Sequence, residues 1–169
     1  MKQLSSAMRH RNEARHRGSG RCWSTPPELF AEINAEFNFT LDPCATAKSA
    51  KCADFFTEEQ NGLNQNWGGV VFMNPPYGKE IRSWIYKARV SAAAGALVVG
   101  LIPAATDQDW WHDHIVGVAE VRYLRGRPRF LVYEDDGSTK WASPFQPVLI
   151  VIWRPGVPMP SKLSQGRLL

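Results

Sequence analysis

At 169 residues, 44% of them hydrophobic and 7 of them Trp, the chain has the size and apolar content of one domain that buries its own core. No apolar run approaches the roughly 18 residues of a membrane span and no signal-type segment follows Met1, so neither a transmembrane helix nor a secretory leader is expected. Cys22, Cys44 and Cys52, odd in number and without C-x-x-C spacing, argue against a zinc site or a disulfide framework and for a reducing compartment.

The net charge of +4 is unevenly placed. Residues 1–21 hold six of the 20 Lys and Arg (Lys2, Arg9, Arg11, Arg15, Arg17, Arg21) and one of the 16 acids, Glu13, so the rest of the chain is close to neutral. Residues 1–20 have no apolar period and end in Gly18-Ser19-Gly20, which predicts a flexible basic tail. Two readings fit it, an arm that touches phosphate and a solvated start. Order is expected from Arg21. Thr25 as N-cap, Pro26 at the first helical position and Glu28 form a capping box, and Leu29, Phe30, Ile33 and Phe37 continue a helical stripe. Phe37 to Leu41 alternates as a strand and breaks at Asp42-Pro43. In the poorly patterned stretch 43–69, a short helix is expected over Thr46 to Ala53, a brief strand over Asp54-Phe55-Phe56 and a turn at Asn61-Gly62.

Val70 to Met73 is a short apolar run, read as a buried strand that Pro75 and Pro76 must end. A helix is expected from Lys79 to Ala94 with Gly95 as its stop, then a strand from Ala96 to Ile102 closed by Pro103 and a helix from Asp107 to Ile115. Ala119 to Leu124 and Phe130 to Tyr133 read as two strands of a hairpin around Gly126-Arg127-Pro128. Asp135-Asp136-Gly137 reads as a turn and Pro147 to Trp153 as the last strong strand. Strands alternating with helices and followed by an antiparallel hairpin predict a mixed, mostly parallel α/β sheet. The domain is expected over 21–154, with an irregular tail at 155–169.

The chemistry concentrates on Asn74-Pro75-Pro76-Tyr77, a stiff turn at the carboxyl end of the central strand, where open α/β sheets place their ligands. These residues suit methylation of an exocyclic amino nitrogen, whose lone pair is delocalised into its ring. The Asn74 amide oxygen and the Pro75 carbonyl can each accept one amine hydrogen and favour the pyramidal, attacking geometry. Tyr77 offers a face for base stacking, worth roughly 1–3 kcal/mol. A second candidate site is Asp42-Pro43-Cys44-Ala45, an acid able to meet a positive amino group, followed by small residues that let a cofactor approach. It has no G-x-G, so the fitting cofactor carries no phosphate.

Taken in order, Trp23-x-Thr25-Pro26, Leu41-Asp42-Pro43-Cys44-Ala45 and Asn74-Pro75-Pro76-Tyr77 resemble the amino-methyltransferases that use S-adenosylmethionine, and more closely the small phage-associated DNA N6-adenine methyltransferases. The resemblance extends to Trp84 and Lys87, Leu101-Ile102-Pro103-Ala104, Gly126-Arg127 with Phe130, and Ser143-Pro144-Phe145, over about residues 22–153. It implies a Rossmann-like class I methyltransferase fold and methyl transfer from S-adenosylmethionine to adenine N6 in DNA. It also implies a cytoplasmic location, in a bacterial host cell if the chain is phage-encoded. Thr25 and Pro26 would lie beside the methionine part of the cofactor, Asp42, Pro43, Cys44 and Ala45 would line its pocket, and Asn74, Pro75, Pro76 and Tyr77 would hold the adenine. The ribose hydroxyls call for an acid, for which Asp54 and Glu58 are candidates. Asn61-Gly62-Leu63 would lie near the cofactor's adenine ring, with Asn61 where an acid is the family's choice.

Two further groupings carry open readings. Arg125, Arg127 and Arg129 with Phe130 form a basic hairpin tip, which either clamps phosphates and touches an extruded base or is a solvated turn with Phe130 in the core. Trp110-Trp111-His112-Asp113-His114 offers a His-x-His pair, but those side chains diverge by about two-fifths of a helical turn, against a metal. Alternative functions are methylation of RNA adenine or protein glutamine, and a catalytically silent nucleic-acid-binding module on the same fold.

Overall fold

The computed structural model describes residues 22–134 and 136–157. The basic tail over 1–20 and most of the expected C-terminal tail lie outside the described residues. The elements are β1 (Cys22–Ser24), α1 (Pro27–Phe37), β2 (Leu41–Asp42), β3 (Asp54–Phe55), a 3-10 turn (Gly62–Asn64), β4 (Val70–Met73), α2 (Ile81–Ala93), β5 (Leu97–Pro103), α3 (Asp109–His114), β6 (Glu120–Tyr123), β7 (Phe130–Tyr133), β8 (Thr139–Ala142) and β9 (Val148–Trp153).

Six strands form the main sheet in the order β3-β2-β4-β5-β9-β6. The β3-β2, β2-β4 and β4-β5 pairs are parallel, and β9 runs antiparallel to both β5 and β6. The chain leaves β2 for one edge and later builds outward from β4 toward the other, so β2 and β4 flank the switch point where such sheets bind ligands. Central strands buried on both faces must be apolar throughout. Val71 to Met73, Val98 to Pro103 and Val148 to Trp153 meet that requirement. One face packs on α2 and α3 through Trp84, Ile85, Ala88, Trp110 and Trp111; the other packs on α1 through Ile33 and Phe37. This mixed, mostly parallel sheet with helices on its faces is consistent with the class I methyltransferase fold.

A second, three-stranded antiparallel sheet in the order β1-β7-β8 corrects the expected hairpin. The strands flanking Gly126 do not pair: β6 joins β9 in the main sheet, while β7 pairs with β1 and β8. The hairpin turn lies instead between β7 and β8, where Gly137 at φ +82° donates its N–H to the Glu134 carbonyl. Three local expectations also change. The N-cap of α1 is Pro26 with no side-chain cap, so Thr25 and Glu28 form no capping box. The helix runs through Phe37 and ends at Asn38 (φ +56°), which removes the expected strand from Phe37 and leaves only Leu41–Asp42. Thr46 to Ala50 makes one turn, closed by Ser49 and Ala50 N–H groups on the Thr46 carbonyl, and does not continue as a helix. Among the described residues no helix is long and apolar enough to cross a membrane.

Candidate active site

Asp42 ends β2 and Asn74 follows β4, so both stand at the carboxyl ends of adjacent parallel strands. The register Leu41↔Val71 puts Asp42, Phe72 and Asn74 on one face, the face of α1, where Phe72 meets Phe30 edge-on at 5.0 Å. Asp54 pairs with Leu41 and so points to the opposite face; it is exposed and lines a cleft of about 430 Å³ with Thr40, Phe55, Phe56 and Gly68. Glu58 is exposed on the following turn.

The Asn74 amide nitrogen donates to the Trp23 carbonyl at 3.1 Å and to Thr25 Oγ1 at 3.2 Å. A main-chain carbonyl can only accept, so the amide nitrogen must face Trp23 and the oxygen must point away. Pro75 is buried and Pro76 exposed, which stiffens the turn that carries Asn74 to the rim of the sheet. Tyr77 is divided. Its ring leaves the residue 37% exposed, while its hydroxyl is buried and donates to the Leu101 carbonyl at 2.9 Å. β4 pairs with β5 only as far as Met73↔Gly100, so Leu101 lies one residue past the last rung and the Tyr77 hydroxyl takes up its carbonyl. Burial pushes the Tyr77 hydroxyl far above its ordinary pKa, with Cys44 a lesser cause, which keeps it protonated and removes it as a proton acceptor.

Asp42 is 4% exposed and organises the loop after β2. Its carboxylate accepts from the Lys51 N–H at 3.1 Å and the Cys44 N–H at 3.4 Å. Burial pushes its pKa up to about 6, against the lowering effect of those two donors and the Lys51 charge. Such a group gains from a nearby cation, so the carboxylate fits the charged amino-acid end of S-adenosylmethionine, and residues 43–51 after it hold no Gly that would cradle a phosphate. Pro43 and Ala45 are buried, and the Ala45 N–H donates to the Phe56 carbonyl. Gly62 packs directly on this loop: a Cβ there would meet the Pro43 carbonyl oxygen at 1.9 Å, so no other residue fits. The Asn61-Gly62-Leu63 stretch therefore abuts the Asp42–Ala45 loop. Burial, then the Asp42 and Asp54 charges, push the Cys52 thiol up to about 12.

Of the two readings of the Arg125–Phe130 segment, Phe130 holds the core one: it is 1% exposed and meets the Trp23 ring at 6.1 Å. Arg125, Arg127 and Arg129 are exposed. Aromatics presented to solvent nearby include Tyr123 at the end of β6, Trp141 on β8 (47%) and Phe145 (95%), whose carbonyl accepts from Arg127 Nη1 at 3.2 Å. Trp110 and Trp111 are buried, and His112 Nε2 lies 2.9 Å from the Thr106 carbonyl. Among the described residues no three His, Cys, Asp or Glu gather as a metal site.

The family model described as DNA N-6-adenine-methyltransferase (Dam) matches residues 14–165. The chain belongs to this family. It is similar to the DNA N-6-adenine-methyltransferase of Haemophilus phage HP1 (strain HP1c1), 29% identical over 84% of this chain and 83% of that protein. It is similar to the protein of the same name from Escherichia phage T1, 28% identical over 60% of this chain and 44% of the relative. A shorter match, 40% identical over 32% of this chain and 69% of the relative, is to the putative methyltransferase YfdM of Escherichia coli (strain K12). Membership makes the chain an adenine-specific DNA methyltransferase. In this methyltransferase the sequence carried no signal for the Trp23 and Thr25 contacts to Asn74, the Tyr77–Leu101 bond or the β8 strand with Trp141.

Proposed function

We propose that this DNA adenine methyltransferase uses S-adenosylmethionine as methyl donor, held at Asp42–Ala45, and that Asn74, Pro75, Pro76 and Tyr77 receive the target adenine. S-adenosylmethionine supplies a methyl group made electrophilic by its sulfonium. Asp42 pairs with the positive amino group, and the loop around Pro43, Cys44 and Ala45 lies against the rest of the donor. Asn74 Oδ1 and the Pro75 carbonyl accept the two N6 hydrogens, which frees the lone pair from the ring and points it along the line of attack. Tyr77 stacks on the base. The nitrogen becomes acidic only after alkylation, so its proton then leaves to water and no base is required beforehand. Orientation and hydrogen bonding supply the main catalytic terms.

One observation supports this reading: the Asn74 amide nitrogen is committed to Trp23 and Thr25, so its oxygen is the end left to accept from an incoming amine. Arg125, Arg127 and Arg129 with Phe145 and Trp141 serve as the DNA-facing surface. The test is methyl transfer to unmethylated DNA, RNA and protein, with nucleoside analysis of the product, in wild type and Asn74→Ala. N6-methyladenine in DNA from the wild type, with at least a tenfold lower rate in Asn74→Ala (~1.4 kcal/mol) and cofactor binding retained, is the expected result. A variant that keeps more than a tenth of the rate removes Asn74 from the mechanism.

A further inference from the structure

We propose that Thr25 is a positioning residue for methyl transfer, one that orients the Asn74 amide from a different sheet and does not serve as a cofactor contact. The inference rests on the reading that Asn74 Oδ1 accepts a hydrogen of the target amine. Asn74 is carried by the main sheet, on the turn after β4. Its two amide partners belong to the other sheet and the residue that follows its first strand: Trp23 in β1 and Thr25 just after it, 51 and 49 residues away in sequence.

The two anchors do different work. The Trp23 carbonyl fixes the sense of the amide, because the flipped rotamer would set oxygen against oxygen. A single bond to that carbonyl still lets the amide plane swing. The second bond, to Thr25 Oγ1, removes the swing and so fixes where Oδ1 points. Thr25 is 2% exposed and Ser24 5%, so water has no ready access to replace the hydroxyl. β1 is itself held in place by pairing with β7, Trp23 opposite Val132, and by the edge-on contact of Trp23 with the buried Phe130. The aim of the amide is thus set by where the small sheet sits. The hydroxyl that a helix cap would otherwise occupy is available for this, since α1 begins without a side-chain cap.

The experiment compares Thr25→Val, which keeps the shape and removes the hydroxyl, with Thr25→Ser, which keeps the hydroxyl. Single-turnover methyl transfer at saturating S-adenosylmethionine and DNA is measured together with both dissociation constants and Tm. Thr25→Val should slow transfer roughly tenfold to a hundredfold, the scale expected when a reacting group is misaimed by about an ångström. Both dissociation constants should stay within about twofold of wild type, and Thr25→Ser should recover most of the rate, on the same reasoning that the hydroxyl alone matters. In an Asn74→Ala background Thr25→Val should add little further loss, since the two residues act as one unit. The proposal is overturned if Thr25→Val weakens S-adenosylmethionine binding and leaves the saturated rate intact, which makes Thr25 a cofactor contact. Equal loss in the Val and Ser variants, tracking Tm, also overturns it, because packing is then the cause. Failure of the underlying reading looks different: Asn74→Ala itself would retain the rate.

Discussion

Replacing Tyr77 separates the hydrogen bond its hydroxyl makes from the stacking role proposed for its ring. Its hydroxyl donates to the Leu101 carbonyl at 2.9 Å, just past the end of the β4-β5 ladder, while its ring remains partly exposed beside Asn74. Tyr77→Phe keeps the ring and leaves a buried carbonyl without that donor, a cost of about 1–3 kcal/mol in folding stability. Tyr77→Ala carries the same cost and also removes the stacking face, worth roughly 1–3 kcal/mol on a bound base. That converts to about a 5- to 150-fold loss in transfer. Denaturant unfolding should therefore show both variants destabilised, while single-turnover methylation well below their Tm should show a mild loss in Phe and a severe one in Ala. A duplex with the target adenine opposite an abasic site reduces the cost of extrusion, a few kcal/mol for a paired base, and should partly rescue Tyr77→Ala. Transfer by Tyr77→Phe as poor as by Tyr77→Ala would show that the hydroxyl acts in the reaction and that stacking is the wrong role.

Asp42 makes a pH prediction. Its folded pKa of about 6 lies above the ordinary value of 3.8, so the native state holds this proton more tightly than the unfolded chain. Stability falls as pH rises through that window and the full penalty, on the order of 3 kcal/mol, is present above about pH 6. A cation bound at the carboxylate reverses this, so S-adenosylmethionine should bind more tightly as pH rises from 5 to 7.5, with proton uptake by buffer. Calorimetry on wild type and Asp42→Asn checks it: the variant should bind weakly at both pH values, and a flat profile in the wild type would make Asp42 purely structural. On the proposed DNA-facing surface, replacing Arg125, Arg127 and Arg129 by Ala should flatten the plot of log affinity against log salt by roughly 0.9 for each phosphate no longer neutralised. Phe145→Ala should weaken binding without changing that slope, because stacking releases no counterion; an unaltered slope in the Arg variant would show that these side chains meet only solvent.

The legible parts of the fold were those whose signal is local. Val70 to Met73 followed by two prolines can only be a strand that stops, and the stripe of Trp84, Ile85, Ala88 and Ala92 can only bury one helical face. β2 is a different case. Phe37 and Phe39 alternate like a strand, yet Phe37 closes α1 and Phe39 stacks on it at 5.8 Å after the left-handed Asn38. Alternation there records Phe39 packing on Phe37, Phe30 and Phe72, a pattern shared by strands and by a helix end that folds back. The partner of β6 arrives about 25 residues later in the chain, after a whole hairpin of the other sheet. Nothing within the Arg122–Phe130 segment distinguishes that arrangement from a simple turn. β8, with Thr139, Lys140 and Trp141 all exposed, has no buried face to give it a period. Phe130 and Val132 are buried at alternate positions, but Phe130-Leu131-Val132-Tyr133 is apolar throughout, so the sequence left the place of Phe130 open.

The site divides along the same line, and the division has a chemical cause. Residue types that do the chemistry are chosen by the reaction, so Asn, Pro-Pro and Tyr in sequence announce themselves wherever a strand delivers them to a sheet edge. Residues that aim the chemistry are chosen only by where the fold brings them. Thr25 could have capped a helix, and its neighbours Pro26 and Glu28 are those a cap would have; Trp23 contributes only a carbonyl, which every residue possesses. Because Asn74 gains its direction from such unremarkable groups, the amide is no better placed than the junction between the two sheets. Substitutions at Val132, which pairs with Trp23, or at Phe130, which packs on its ring, should alter that junction. On the role proposed for Asn74, the packing of the small sheet would be part of the catalytic geometry.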